Sequence, residues 1–184
     1  LDDTQELVIL VDAADREIGT APKLEAHRSG ELHRAFSVML WNDAGEMLLQ
    51  QRAAGKYHSG GLWANACCGH PRPGEAVGEA AVRRVTEELG VTCGLEPIGQ
   101  ITYRADLGGA LIEHELVHVF HGILHGNVAA DPSEVADVTW IAPDDLSRAI
   151  AERPQDFAAW LRRYDAARWP LRRAAKLNHD ITAA

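Results

Sequence analysis

The stretch from Gly69 to Val91, GHPRPGEAVGEAAVRRVTEELGV, constrains this chain more than any other. Val77, Ala81, Val82, Val85 and Leu89 recur at helical spacing, and Gly90 stands where a helix would stop. That spacing predicts a helix within 74–91 with one apolar face. The other face carries Arg83, Arg84, Glu87 and Glu88. Taken alone, Glu87 and Glu88 read as a solvated helix face, and Arg84 with Glu88 as an i,i+4 ion pair. An ordinary surface helix does not require the longer run: Gly69, five residues, Glu75, seven residues, and then Arg83 through Val91 without interruption.

The rest of the chain fits a single soluble domain built around such a helix. It has 184 residues, 46% of them apolar and 24% charged, enough to bury a core without staples. No apolar run approaches the roughly 18 residues of a membrane span. The opening LDDTQELVIL is acidic and lacks the basic start of a secretory signal. A net charge of −9 leaves no basic footprint for nucleic acid, so an anionic ligand would need a local cluster of cations or a metal. Cys67, Cys68 and Cys93 make a poor disulfide framework, an odd count with two adjacent, and a reducing cytoplasm is expected.

Residues 6–13 read as a first strand. Residues 35–41 and 46–52 flank the turn signal NDAG and read as a hairpin. Residues 61–68, 98–106, 111–124 and 135–141 read as extended. Residues 143–153 open with Pro143, suited to a first helical turn, and the tail from about 155 to 178 reads as an amphipathic helix. Strands interleaved with a few helices predict an α/β (α+β) fold.

Three segments concentrate chemistry. NACCGH, at 65–70, sets a cysteine pair beside His70. A structural zinc site on Cys67, Cys68 and His70 fails on spacing, because adjacent residues of an extended strand point apart and no second cysteine pair exists. Glu113 and Glu115 are two apart on a strand, so both face one side, which Val117 and Val119 continue as a buried face. Two carboxylates there are costly unless paired, protonated or bound to metal. His114 points the other way. His27 and His33 lie in KLEAHRSGELHRAF; with His70 and the two glutamates they form a mixed nitrogen and oxygen set suited to Mn, Mg, Zn or Fe.

The run from Gly69 to Val91 resembles the Nudix box, G-x5-E-x7-R-E-U-x-E-E-x-G-U with U aliphatic, except that Arg84 stands where that family has Glu. KLEAH, LHRAF, QRAAGKY, LWANACCGHP, RRVTEELG, YRAD, EHE and the late FAAW, spanning about 19–161, together resemble the type I isopentenyl-diphosphate isomerases. The resemblance implies a Nudix-type α/β/α sandwich with a mixed β-sheet, one domain over 1–184 with short N-terminal and C-terminal helical extensions. It implies isomerisation of isopentenyl to dimethylallyl diphosphate in isoprenoid biosynthesis, by protonation and deprotonation through a carbocation-like intermediate.

Residue by residue, the resemblance implies Cys68 as the catalytic thiol, Glu115 as its partner in proton transfer, Tyr103 as an aid to Glu115, and Trp160 as the indole that steadies the cation. Trp41 and Trp63 are then core candidates. It maps metal ligands onto His27, His33, His70, Glu113 and Glu115, holding a divalent metal (Mn2+, Mg2+ or Zn2+). It maps a substrate-associated Mg2+ onto Glu88, and diphosphate-binding cations onto Lys23, Arg52, Lys56 and Arg84. Which of Cys68 and Glu115 donates the proton is left open. Tyr57 and His58 depart from the family's residues beside the lysine, with the mapped cations kept in place. The expected partner is a small allylic or homoallylic diphosphate, with neither nucleic acid nor membrane, and the oligomeric state stays open.

Two other readings compete. A Nudix hydrolase would need the carboxylate that Arg84 replaces, since a guanidinium repels the metal and suits phosphate oxygens directly. It would also leave Cys68 and Glu115 without work. A silent binding module has no need of a thiol, five metal ligands and four cations together.

Overall fold

The computed structural model describes residues 6–56 and 58–167. Fourteen segments follow in order: β1 (Leu7–Val11), β2 (Glu17–Pro22), α1 (Lys23–Ser29), β3 (His33–Trp41), β4 (Met47–Arg52), β5 (Trp63–Asn65), β6 (Cys67–Gly69), α2 (Val77–Leu89), β7 (Glu96–Gly108), β8 (Leu111–Ile123), β9 (Val135–Ile141), α3 (Pro143–Glu152), a 3-10 turn (Pro154–Asp156) and α4 (Ala159–Ala166).

Strand β3 is the hub. It runs parallel to β8 over its whole length, from His33 opposite Glu115 to Trp41 opposite Ile123, and antiparallel to β6 on its other side. A strand covered on both faces must be apolar throughout rather than alternating, and from Ala35 to Trp41 β3 is buried at every position. Its side chains divide by parity. Ala35, Met39 and Trp41 join Val117, Val119, Leu146, Ile150 and Leu161 in a core beneath α3 and α4. Phe36, Val38 and Leu40 join Ala80, Ala81, Val85 and Leu89 in a second core beneath α2. One mixed sheet between two helical layers is the sandwich the sequence led us to expect.

Helix α2 spans 77–89 rather than 74–91. Val82, expected on its apolar face, is 38% exposed, and Ala80 is buried in its place. Gly90 ends the helix at φ +64°, and a side chain there would collide with the carbonyl of Ala129. Glu75 lies before the helix and is held by Arg83 through two hydrogen bonds, 2.7 and 2.9 Å, while it accepts the Arg72 amide at 2.8 Å. The fixed Glu75–Arg83 spacing is thus a clamp between the preceding loop and the helix.

The NDAG turn forms, but the hairpin around it is a single pair, Trp41 opposite Met47. Beyond that pair β3 and β4 diverge. β4 takes β5 and β9 as neighbours, and β6 fills the place beside β3. The extended segment expected at 61–68 therefore crosses from one diverging strand to the other, broken at Ala66. Residues 17–29, which carry no clear strand or helix signal, form β2 and α1, the latter capped by Gly30 at φ +70°. The expected C-terminal helix is present as α4, and its continuation beyond 167 lies outside the described residues.

Candidate active site

Opposed residues in a sheet share a face. Ser37 lies opposite Cys68, His33 opposite Glu115, and Tyr103 on β7 opposite Glu115. Ser37 and His33 have the same parity on β3, so register alone brings Cys68, Glu115 and Tyr103 to the α4 side of the sheet. Cys67, one residue away, turns to the opposite core and is fully buried beneath α2.

These groups meet at a cavity of about 280 Å³. Its lining includes every residue expected to act on or bind substrate: Cys68, Glu115, Tyr103 and Trp160, with Lys23, Arg52, Lys56 and Arg84. His70, Glu88 and Glu113 also line it, whereas His27 and His33 are fully buried behind.

His27, His33, His70 and Glu115 each bring a donor atom within 4.8 Å of the others. The three ring centroids stand 4.9, 5.1 and 5.9 Å apart. His27 and His33 each set Nδ1 at 2.8 Å from a carbonyl, of Lys23 and Glu31. A carbonyl only accepts, so Nδ1 carries a proton in both rings, which leaves Nε2 as the atom that can ligate. His33 Nε2 and His70 Nδ1 are buried without a hydrogen-bond partner among the described residues, at a cost of about 1–3 kcal/mol each. His70 Nε2 and His33 Nε2 lie 3.0 and 3.6 Å from Glu115 Oε1. A buried set of imidazoles and a carboxylate is a fitting site for a divalent metal. Burial first, then the neighbouring histidines, pushes His27 down to about 4; burial also lowers His70.

Glu113 stands slightly apart, in a second donor group with His27 and His58. Neither group includes Glu88. Tyr103 Oη lies 2.9 Å from Glu113 Oε2 and 2.8 Å from Glu115 Oε2. The phenol has one proton for two carboxylates. Burial and then the charge of Glu115 raise Glu113; burial pushes Glu115 up too, but the adjoining His33 and His70 imidazoles, His70 through its 3.0 Å hydrogen bond, outweigh it and hold Glu115 well below the usual range. A protonated Glu113 donating to the phenol, which donates to Glu115, satisfies all three groups.

The four expected substrate cations are each engaged. Arg84 bonds Glu88 at 2.5 Å, Glu87 at 2.8 Å and Glu134 at 3.2 Å, and Lys56 pairs with the same Glu134 oxygen. Lys23 pairs with Glu6 at 2.8 Å. The Arg52 guanidinium carbon lies 5.4 Å from the centroid of the Trp160 ring. Glu88 gives its second oxygen to Gln50 Nε2 at 3.0 Å.

A Nudix domain model matches residues 31–163. The isopentenyl-diphosphate Delta-isomerase of Burkholderia multivorans is 51% identical over 156 residues, covering 85% of this chain and 89% of that protein. That of Nocardia farcinica is 49% identical, covering 84% and 89%. The chain belongs to the isopentenyl-diphosphate isomerase family of Nudix proteins. Among solved structures, Deinococcus radiodurans DR0079 is similar in fold at a TM-score of 0.75 and 19% identity, covering 89% of this chain and 99% of that one. The MutT protein of Methanosarcina mazei is similar at 0.59 and 22%, covering 74% and 91%. These two likenesses speak for the fold alone.

In this isomerase-family chain the sequence reading missed four residues of the site. Asn65 is fully buried between β5 and β6. Its Oδ1 accepts the Cys68 thiol at 3.3 Å and the Trp160 indole N–H at 3.1 Å, and its Nδ2 contacts Ser37 Oγ and the Val38 and Cys67 carbonyls at 2.9–3.1 Å. Its place in NACC was visible, but nothing local marks it as the link to a helix 95 residues away. Glu134 and Tyr164 line the cavity from late segments. His58, noted only as a departure, sits between His27 and Trp160. Among the described residues no helix is long and apolar enough to cross a membrane.

Proposed function

We propose that this chain interconverts isopentenyl and dimethylallyl diphosphate by moving one proton onto the terminal alkene carbon and another off the allylic carbon. One observation carries the reading: Cys68 and Glu115, on strands flanking opposite edges of β3, face one cavity that Lys23, Arg52, Lys56 and Arg84 also line. An unactivated alkene is a weak base, so the transfer passes through a tertiary carbocation or close to it, and needs two proton-transfer groups.

Cys68 and Glu115 are those groups. Burial pushes the Cys68 thiol up to about 12, so it rests as a thiol and holds a proton at Sγ. Glu115 rests as a carboxylate, with Tyr103 donating to it. The phenol keeps its proton; its hydrogen bond orients that oxygen and steers the proton that Glu115 exchanges with the substrate. The Trp160 indole supplies electron density without a nucleophile to trap a cation. The Arg52 guanidinium carbon lies 5.4 Å from the centroid of that ring, a contact that supports pairing the ring face with positive charge. Walls of Phe36, Val117 and Tyr164 exclude water from the carbocation.

Lys23, Arg52, Lys56 and Arg84 hold the diphosphate; Lys23, Lys56 and Arg84 exchange their carboxylate partners for phosphate oxygens. His27, His33, His70, Glu113 and Glu115 hold a divalent metal (Mn2+, Mg2+ or Zn2+). Glu88 faces the diphosphate and would share its Mg2+. The metal at the His/Glu site, when bound, supplies a fixed positive charge that orients Glu115 and tunes its basicity. The hydrolase reading is disfavoured by Arg84 itself, which ties up Glu87 and Glu88.

The test is incubation with isopentenyl diphosphate and Mg2+ in D2O, following carbon-bound deuterium and free phosphate by NMR. Deuterated dimethylallyl diphosphate without phosphate release is expected, and a Cys68→Ala control should abolish it. Phosphate release without deuterium incorporation would overturn the isomerase reading.

A further inference from the structure

His58 belongs to none of the roles assigned above, yet it is placed at the metal site. It lies in the loop between β4 and β5, which is stapled at its base by Arg52 N to Leu62 O and Gly61 N to Arg52 O, both 3.0 Å, and across to the turn before β9 by Ala53 N to Glu134 O at 2.9 Å. The staples fold the loop back over the cavity, and His58 is among its lining residues. The His58 ring stands 5.8 Å from the His27 ring, within the 4.9–5.9 Å range that separates His27, His33 and His70 from one another.

The donor atoms group in two sets that share His27. On one side stand His33, His70 and Glu115; on the other, His58 and Glu113, with one donor each from His27, His58 and Glu113 within 4.8 Å. Glu113 therefore finds its nitrogen companions in His27 and His58. The Nδ1 of His58 lies 3.2 Å from Ser59 Oγ, on the ring nitrogen that in His27 and His33 meets a backbone carbonyl. An outer partner on one ring nitrogen that aims the other inward is the usual arrangement for a ligating histidine.

We propose that His58 is a further metal ligand, carried on the loop that also bears Lys56, and that it joins Glu113 and His27 on the cavity side of the His/Glu centre. The proposal rests on that centre being a metal site. It has a consequence for substrate binding. The loop then has a metal anchor at His58, two residues from the phosphate-binding Lys56, so metal binding and diphosphate binding are linked through it. Packing alone offers a competing account, since His58 also meets the Trp160 ring edge-on at 6.0 Å. The two accounts separate on metal affinity, which a packing role leaves unmoved.

The experiment is to strip the full chain with a chelator and titrate it with Co2+ and with Zn2+, comparing wild type with His58→Ala and His58→Gln. Affinity should fall about tenfold or more in both variants, and the Co2+ absorption bands should shift because one imidazole leaves the ligand field. Hydrogen exchange should show amides of 53–62 gaining protection on metal loading in the wild type only. Melting curves of the stripped proteins, matched between wild type and His58→Gln, would show that the variant folds. Unchanged affinity and unchanged Co2+ spectra in both variants would overturn the role of His58 while leaving the centre intact. A wild type that takes up neither metal would overturn the centre, and the role of His58 with it.

Discussion

Asn65 Oδ1 receives the thiol of Cys68 at 3.3 Å and the indole N–H of Trp160 at 3.1 Å, so one buried oxygen fixes the positions of both groups. The same side chain anchors to β3 through Ser37 and Val38, at the point where β3 and β4 have parted and the cavity begins. Carboxamide geometry permits this, since a single planar group offers two donors and two lone pairs. Asn65→Ala should therefore lower kcat about 100-fold, as expected when a reacting group is misplaced by about an ångström, with KM little changed. Unsatisfied buried partners should cost about 3 kcal/mol of stability. Steady-state kinetics beside chemical denaturation checks this; a destabilised variant with wild-type kcat would refute the positioning role.

The two adjacent cysteines should behave as different residues. Cys67→Ala removes a sulfur from the α2 core, and should cost about 1 kcal/mol of stability while leaving turnover intact. Cys68→Ala should keep the fold and lose turnover by about 10³-fold or more. Equal effects in the isomerase assay would contradict the division of the sheet's faces.

Glu134 holds Lys56 and Arg84 together with one carboxylate oxygen. Incoming diphosphate has to displace it from both. Glu134→Gln keeps the side chain's size and removes its charge, so affinity for inorganic diphosphate, read by calorimetry, should rise about fivefold, equivalent to about 1 kcal/mol of ion pairing. Weaker binding would mean that Glu134 positions the two cations instead of competing for them.

Hydrogen bonds from Arg83 hold the Glu75 carboxyl below its ordinary value of 4.5, against a smaller opposing effect of burial. A depressed carboxylate stabilises the fold above its unfolded pKa, and that contribution is lost as pH falls through the folded value. Glu75→Gln should therefore melt lower than wild type at pH 7, by about 1 kcal/mol. The gap should close as pH falls below about 4.5 and be gone once wild-type Glu75 is protonated. A gap that stays constant from pH 7 to pH 3 would rule out the ion pair as its source. Calorimetry across that range makes the comparison.

Much of the site was legible because its residues sit in short, spaced runs. Glu113 and Glu115 alternate with Val117 and Val119 on one strand face, and strand periodicity is enough to place both carboxylates inward. His70 and Cys68 come with the same few residues. The α2 helix was legible from its apolar spacing, but Val82 was misjudged: apolar residues at the border of a helical stripe are buried only if the neighbouring layer reaches them, and here it does not. Residues 6–13 read as a strand and contain β1, but β2 and α1 gave little local signal. Hairpin β2 shows exposed Glu17 and Ile18, and α1 has only seven residues, too short for a helical period to stand out.

The sequence by itself determined which chemistry is present: a thiol, a set of imidazoles and carboxylates, a basic group where a Nudix hydrolase carries an acid, and a β3 apolar enough to be covered on both faces. These are statements about residue type and local spacing, and a chain carries them without folding. Only the tertiary structure decided how the groups pair. Asn65 reaches Trp160 across 95 residues, Lys56 reaches Glu134 across 78, and Arg84 reaches the same carboxylate across 50. His58 came to lie beside His27 because the loop after β4 is stapled back over the cavity. Contacts of that separation are set by strand register and by the divergence of β3 from β4, and hydrophobic periodicity, which reports only which way a side chain faces, carries no information about them.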